Sequence, residues 1–204
     1  MEQVSPTRSE LLSRRAQIRL AELGAELLRG KREALVREFL AEIPRFVETR
    51  EAFRKQLAAA KESLMLSLAM DGPAAVASAG FASRRSIALE SEERNLWGTR
   101  VVEMRSAYAP LEERGFTAAG ASARIGETAE RFEAVLELIL RVAPLDRKLA
   151  KLAEEIRRTS RRVNALEQRM LPSLAAQVRY IRGVLEQRER EDIMRLKHLK
   201  KRRS

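Results

Sequence analysis

Apolar residues recur every three or four positions along two long stretches of the chain. In the first, from about Thr7 to Met70, Leu20, Leu27, Leu28, Leu35, Phe39, Ile43, Phe46, Phe53, Leu57, Leu64 and Leu68 fall near one stripe. In the second, from about Glu127 to Lys201, the stripe runs through Phe132, Val135, Ile139, Val142, Leu145, Leu149, Leu152, Ile156, Val163, Leu166, Met170, Leu174, Val178, Ile181 and Leu185. Its one longer gap, between Ile156 and Val163, has the polar Thr159 at the stripe position, and Ile193, Leu196 and Leu199 extend it after a charged interruption. Spacing of this kind over so many turns predicts coiled-coil helices rather than ordinary surface helices.

Punctuation supports the division. Thr7 followed by Glu10 fits a capping box at the start of the first helix, with Pro6 just outside it. Asp71-Gly72-Pro73 is a strong breaker and predicts the stop. Pro44, Pro144 and Pro172 are expected to bend their helices, because the apolar spacing carries on past each. Between the helices, Asn95 to Met104 (NLWGTRVVEM) reads as a short strand, and Phe116 to Gly126 is rich in Gly, Ala and Thr. A small hairpin or loop capping the helices fits both. The expectation is an all-α chain: a long antiparallel two-helix coiled coil with a small middle cap that includes a short β-hairpin. Its parts are an N-terminal helix over 1–70, a cap over 71–126, and a C-terminal helix with a basic tail over 127–204. At 1.5 Å per residue each arm is on the order of 100 Å long.

Composition narrows the class. Only 4% of residues are aromatic and 34% are charged, while 45% are apolar. That balance suits long helices and disfavours both a compact mixed fold and disorder. The absence of cysteine removes disulfides, thiolate nucleophiles and Cys-based metal sites. The opening residues lack the basic-then-apolar run of a secretion signal, and no stretch approaches the roughly 20 apolar residues that span a bilayer. Any membrane link is expected to be peripheral or made through a partner.

The chemistry expected of an enzyme is missing. Gly24 to Arg32 (GAELLRGKR) is the nearest approach to a phosphate-binding loop. Its glycines are one residue too far apart, and Arg32 stands where Ser or Thr must hold magnesium. The single histidine, His198, sits in a Lys/Arg-rich tail that disfavours a bound cation. The carboxylates interleave with Arg, which surface ion pairing explains. No catalytic, cofactor-binding or metal-binding residue is expected, and no cofactor. The net charge of +11 has two readings: a solvated helical surface facing an acidic protein partner, or a nucleic-acid surface. Arg157, Arg158, Arg161 and Arg162 form the densest basic cluster within a helix. They are either outward residues with local Glu partners or a contact surface for an acidic protein or phosphates.

Several segments resemble one family. The opening SPTRSELLSRRAQIRLAELGAELLRGKREAL is similar to the N-terminal helix of the D subunit of V-type and archaeal-type ATPases. RRTSRRVNALEQRMLPSLAAQVRYIRGVLEQREREDIMRLKHLK looks like the most recognisable stretch of that family, and Asn95 to Gly98 resembles its Trp-Gly segment. The resemblance covers both arms and part of the middle. It implies a non-catalytic central-stalk rotor shaft that transmits torque between a hexamer of nucleotide-binding subunits and a membrane ion rotor. The implied partners are the catalytic and regulatory nucleotide-binding subunits, a small central-stalk partner (the F subunit) and a socket subunit on the membrane ring, with no nucleic acid. The implied location is peripheral, on the cytoplasmic side of the membrane, within a hetero-oligomer. The four arginines are then candidate stator contacts. The competing reading is a basic coiled coil that binds nucleic acid or acts as a scaffold.

Overall fold

A computed structural model of the chain describes residues 5–82, 89–106 and 122–203. Helix α1 (Arg8–Ala82) is followed by strands β1 (Leu89–Leu96) and β2 (Thr99–Ser106), then helix α2 (Ala123–Ala165), one π-helical turn (Leu166–Met170) and helix α3 (Leu171–Arg203). The chain divides into two units, Met1–Ala34 with Ile156–Ser204, and Leu35–Glu155. In each, two helical segments pair antiparallel. Ion pairs fix the direction in the first unit: Arg8 meets Glu189, and Arg29 meets Glu167. In the second, Lys148 meets Glu38 and Glu42, while Arg124 faces Asp71.

The ends of α1 follow from local chemistry. Thr7 caps the start: its Oγ1 accepts from the Glu10 backbone N–H at 3.2 Å. The reciprocal half of the capping box is not made, because the Glu10 carboxylate accepts from Arg14 Nε at 2.7 Å instead. The breaker at Asp71-Gly72-Pro73 acts as a kink rather than as the stop that the sequence predicts. Gly72 takes φ 82° and ψ 159°, a left-handed conformation that glycine adopts without a Cβ penalty, and the chain resumes helix as far as Ala82. Pro73 opens the new stretch, where a missing N–H is harmless. The chain remains helical across Pro44. The carbonyl that its ring displaces belongs to Leu40, and both residues are exposed, so water can satisfy it.

In the first unit the α1 seam runs through Leu11, Arg14, Ile18, Ala21, Ala25 and Leu28, alternating steps of three and four. Opposite lie Thr159, Val163, Leu174 and Ile181, all buried. Leu20 and Leu27, which the sequence places on the seam, are 71% and 67% exposed, and the small Ala21 and Ala25 take their place. Met170 is also outside the seam. Beyond Glu189, already bonded to Arg8 at the first residue of α1, α3 runs past that helix. Ile193, Leu196 and Leu199 are accordingly exposed. Thr159 is buried at 1% exposure, in the seam position its spacing predicts.

The π turn precedes Pro172. Leu171 N–H donates to the Leu166 carbonyl, five residues back rather than four. Pro172 has no N–H to give Gln168, and its ring crowds that carbonyl, so the backbone widens one residue earlier.

In the second unit Leu35, Ala60, Val135, Leu145, Leu149 and Leu152 are buried along the paired helices. Ser122 caps α2, its Oγ accepting from Ile125 N–H at 3.3 Å, so helix begins about four residues earlier than the sequence suggests. Residues 107–121, which include most of the Gly/Ala/Thr-rich stretch, lie outside the described residues. The hairpin is longer than the expected strand: β1 and β2 pair antiparallel from Leu89↔Ser106 to Leu96↔Thr99. Trp97 and Gly98 form the two-residue turn with φ 53° and 75°. Both positive angles mark the type I′ turn whose twist matches paired strands.

Candidate functional site

The sites to weigh are surfaces. The glycines of the GAELLRGKR segment stand within α1, so no phosphate-cradling loop forms there. His198 is an exposed residue of α3. Among the described residues no group of three or more His, Asp or Glu is arranged to hold a metal ion. No helix among them is long and apolar enough to cross a membrane.

Arg157, Arg158, Arg161 and Arg162 are all exposed on the α2 part of the first unit. At about 100° per residue they span an arc of about 140°, turned away from buried Thr159 and Val163. One outward face therefore carries all four. Arg158, Arg161 and Arg162 make no hydrogen bond or ion pair with any described residue. Elsewhere in the unit, arginines do find partners. Arg29 Nε donates to Glu167 Oε1 at 2.6 Å on the π turn, and Arg8 to Glu189 Oε1 at 2.7 Å.

A second surface is invisible to a search for one stripe. Leu12, Ala16, Leu20, Leu23 and Leu27 step by four, four, three and four, and every one is exposed. They fall within about 80° of one another, on the side of α1 away from Ala21 and Ala25. This part of α1 therefore has two opposed apolar faces, only one of which the described residues cover. The signal is present in the sequence as two interleaved stripes. Leu20 and Leu27 belong to the outer one and Leu28 to the inner.

The second unit carries a shallow groove of about 300 Å³ between Phe46 and Phe53 on α1 and Ile139 and Val142 on α2. Arg50 stands at its rim, its guanidinium carbon 5.7 Å from the centre of the Phe46 ring. Deeper in the same unit, Lys148 Nζ donates to Glu38 Oε1 at 2.8 Å and Glu42 Oε1 at 2.5 Å. Burial pulls the Lys148 pKa down, but hydrogen bonds to Glu38 and Glu42 and the charges of both outweigh it. The net shift is above the ordinary lysine value.

Comparison with known proteins matches the chain to one family. The family model for the ATP synthase D subunit matches residues 10–201. The V-type ATP synthase D subunit of Thermus thermophilus is 42% identical over 200 residues, covering 98% of this chain and 89% of the relative. The A-type ATP synthase D subunit of Methanosarcina acetivorans is 36% identical over 201 residues, covering 98% and 96%. The V-type ATP synthase D subunit of Deinococcus radiodurans is 39% identical over 193 residues, covering 93% and 84%. A chain of paired antiparallel helices with a small hairpin, matched over nearly its whole length, belongs to the ATP synthase D-subunit family, the non-catalytic central-stalk subunit of hetero-oligomeric rotary ATPases.

Proposed function

We propose that this chain is the torque-bearing shaft between a hexamer of nucleotide-binding subunits and a membrane ion rotor. The outer leucine stripe of α1 carries the reading. A two-helix unit needs one apolar seam, and a second stripe directly opposite is useful only if another molecule surrounds it. Arg158, Arg161 and Arg162, unpaired among the described residues, with Arg157 beside them, supply a charged outward face on the other helix of the unit. They meet acidic groups of the catalytic and regulatory subunits, which form the stator around the shaft. The cap expected over 71–126 is confined to the chain between the end of α1 at Ala82 and the start of α2 at Ala123, with the β1–β2 hairpin within it. The small F subunit and the socket subunit of the membrane ring take the remaining contacts, on the cytoplasmic side and outside the bilayer. Nucleic acid is not a partner, because Glu residues interleave with Arg along most of the basic surface.

The test is purification of tagged chain from its native extract, with partners identified by mass. Recovery of nucleotide-binding subunits and a small partner, in complexes that survive nuclease and moderate salt, is the expected result. Recovery of nucleic acid alone, lost as salt rises, overturns it.

A further inference from the structure

In the second unit, α2 is tied to α1 by two polar anchors, and each is tied twice. Lys148 Nζ reaches Glu38 Oε1 and Glu42 Oε1, at 2.8 and 2.5 Å. Thr128 Oγ1 lies 2.7 Å from Ser63 Oγ and 2.8 Å from Ser67 Oγ. In both cases the two α1 partners are four residues apart, about one turn or 5.4 Å along the axis. Each α2 group thus sits between two rungs of α1 rather than on one. The two anchors are about 30 Å apart along α2, so the arrangement is repeated, not local. Both are sheltered: the Lys148 side chain is 12% exposed, Thr128 6% and Ser67 0%.

A group bonded to a single rung loses its bond when one helix slides along the other. A group between two rungs keeps one partner if the slide is half a turn, about 2.7 Å, in either direction. The two end positions differ by one turn, and the described register lies midway between them. A third contact fits an intermediate position. Asp71 Oδ2 is buried without a hydrogen bond, 3.9 Å from Arg124 Nε, a gap that a small axial shift can close.

We propose that this unit holds a register latch centred on the position in which each anchor holds both partners, and that α2 steps half a turn along α1 to either side while Lys148 and Thr128 each keep one partner, together. Toward the start of α1, Lys148 keeps Glu38 and Thr128 keeps Ser63. Toward its end, Lys148 keeps Glu42 and Thr128 keeps Ser67. The motion is a shear between packed helices in which each anchor gives up one polar bond and keeps the other. In a shaft, such a step takes up strain between a stalled end and a turning one. That mechanical sense rests on the rotor reading, whereas the register itself does not.

The experiment measures register directly. The chain has no cysteine, so Glu51→Cys and Arg147→Cys, both exposed and both in this unit, carry one spin-label pair in the purified full chain. Arg147 faces α1 positions that precede Glu51, so movement of α2 toward the end of α1 shortens the label distance. Glu38→Gln with Ser63→Ala is expected to shorten it by about 2–3 Å, and Glu42→Gln with Ser67→Ala to lengthen it similarly. The crossed pair, Glu38→Gln with Ser67→Ala, sets the anchors against each other and melts below both matched pairs with no net shift. The single variants Glu38→Gln and Glu42→Gln give the same opposed senses if a double variant fails to fold. One unchanged distance in every folded variant, or shifts of the same sign, overturns the latch. Neither result touches the partner recovery that tests the rotor reading.

Discussion

Lys148 shows how one residue's environment becomes a property of the fold. A lysine head group with 12% of its side chain exposed costs free energy to desolvate, and only the paired carboxylates of Glu38 and Glu42 reverse the balance. Its folded pKa is raised, so the charged form is favoured by folding. That stabilisation is fully present below the unfolded lysine value, about 10.4, and is lost as pH rises through the higher folded value. Lys148→Met is expected to lower stability by about 2 kcal/mol near pH 8. Urea unfolding at a series of pH values checks it: the gap from the parent narrows as pH rises above about 10.4 and through the higher folded value. A gap that stays constant as pH rises past the unfolded lysine value shows that the ion pairs contribute nothing. Sequence spacing places Lys148 one residue before the seam leucine at 149, but gives no hint that it reaches two glutamates more than a hundred residues away.

At the scale of elements, the seam in the first unit is only partly legible in the sequence. Spacing of the large apolar residues assigns Leu20 and Leu27 inward, although Ala21 and Ala25 hold that position. Small residues let the helices approach, and nothing in their spacing ranks one stripe above the other. The contrast is testable. Ala25→Leu overpacks a site that is 2% exposed and should cost about 1–3 kcal/mol in thermal unfolding. Leu27→Ser, on the outer stripe, should leave the melt within about 0.5 kcal/mol of the parent while weakening assembly with partner subunits. The reverse ranking would return Leu27 to the seam. The hairpin is half legible for a different reason. Val101 and Val102 announce β2, whereas LESEERNL has little intrinsic strand preference and becomes β1 by pairing across the Trp97-Gly98 turn.

At the scale of the whole molecule, the arginine face proposed as a stator contact is where function and stability are expected to separate. Arg161 and Arg162 are exposed and make no ion pair with any described residue, so reversing both charges leaves packing intact. Arg161→Glu with Arg162→Glu should therefore melt like the parent, while ATP-driven ion pumping by the reconstituted complex falls. Unchanged pumping removes this face from the stator contacts. Density along the sequence is enough to pick out the four arginines, and the structure adds their common outward face.

Helical periodicity is a local property, carried by residues three and four apart, so the sequence by itself determined two long helices, an antiparallel pairing and the polar seam position at Thr159. The N-cap at Thr7 and the break at Gly72 are equally local, and their signals are readable. Whether helix resumes after Gly72 is not, because Pro73 can either end a helix or begin one. What only the tertiary structure decided was which of two apolar stripes faces inward and how the helices register. Both depend on pairs of groups far apart in the chain, such as Thr128 with Ser63 and Ser67, and short-range spacing carries no information about which distant partner a residue will meet.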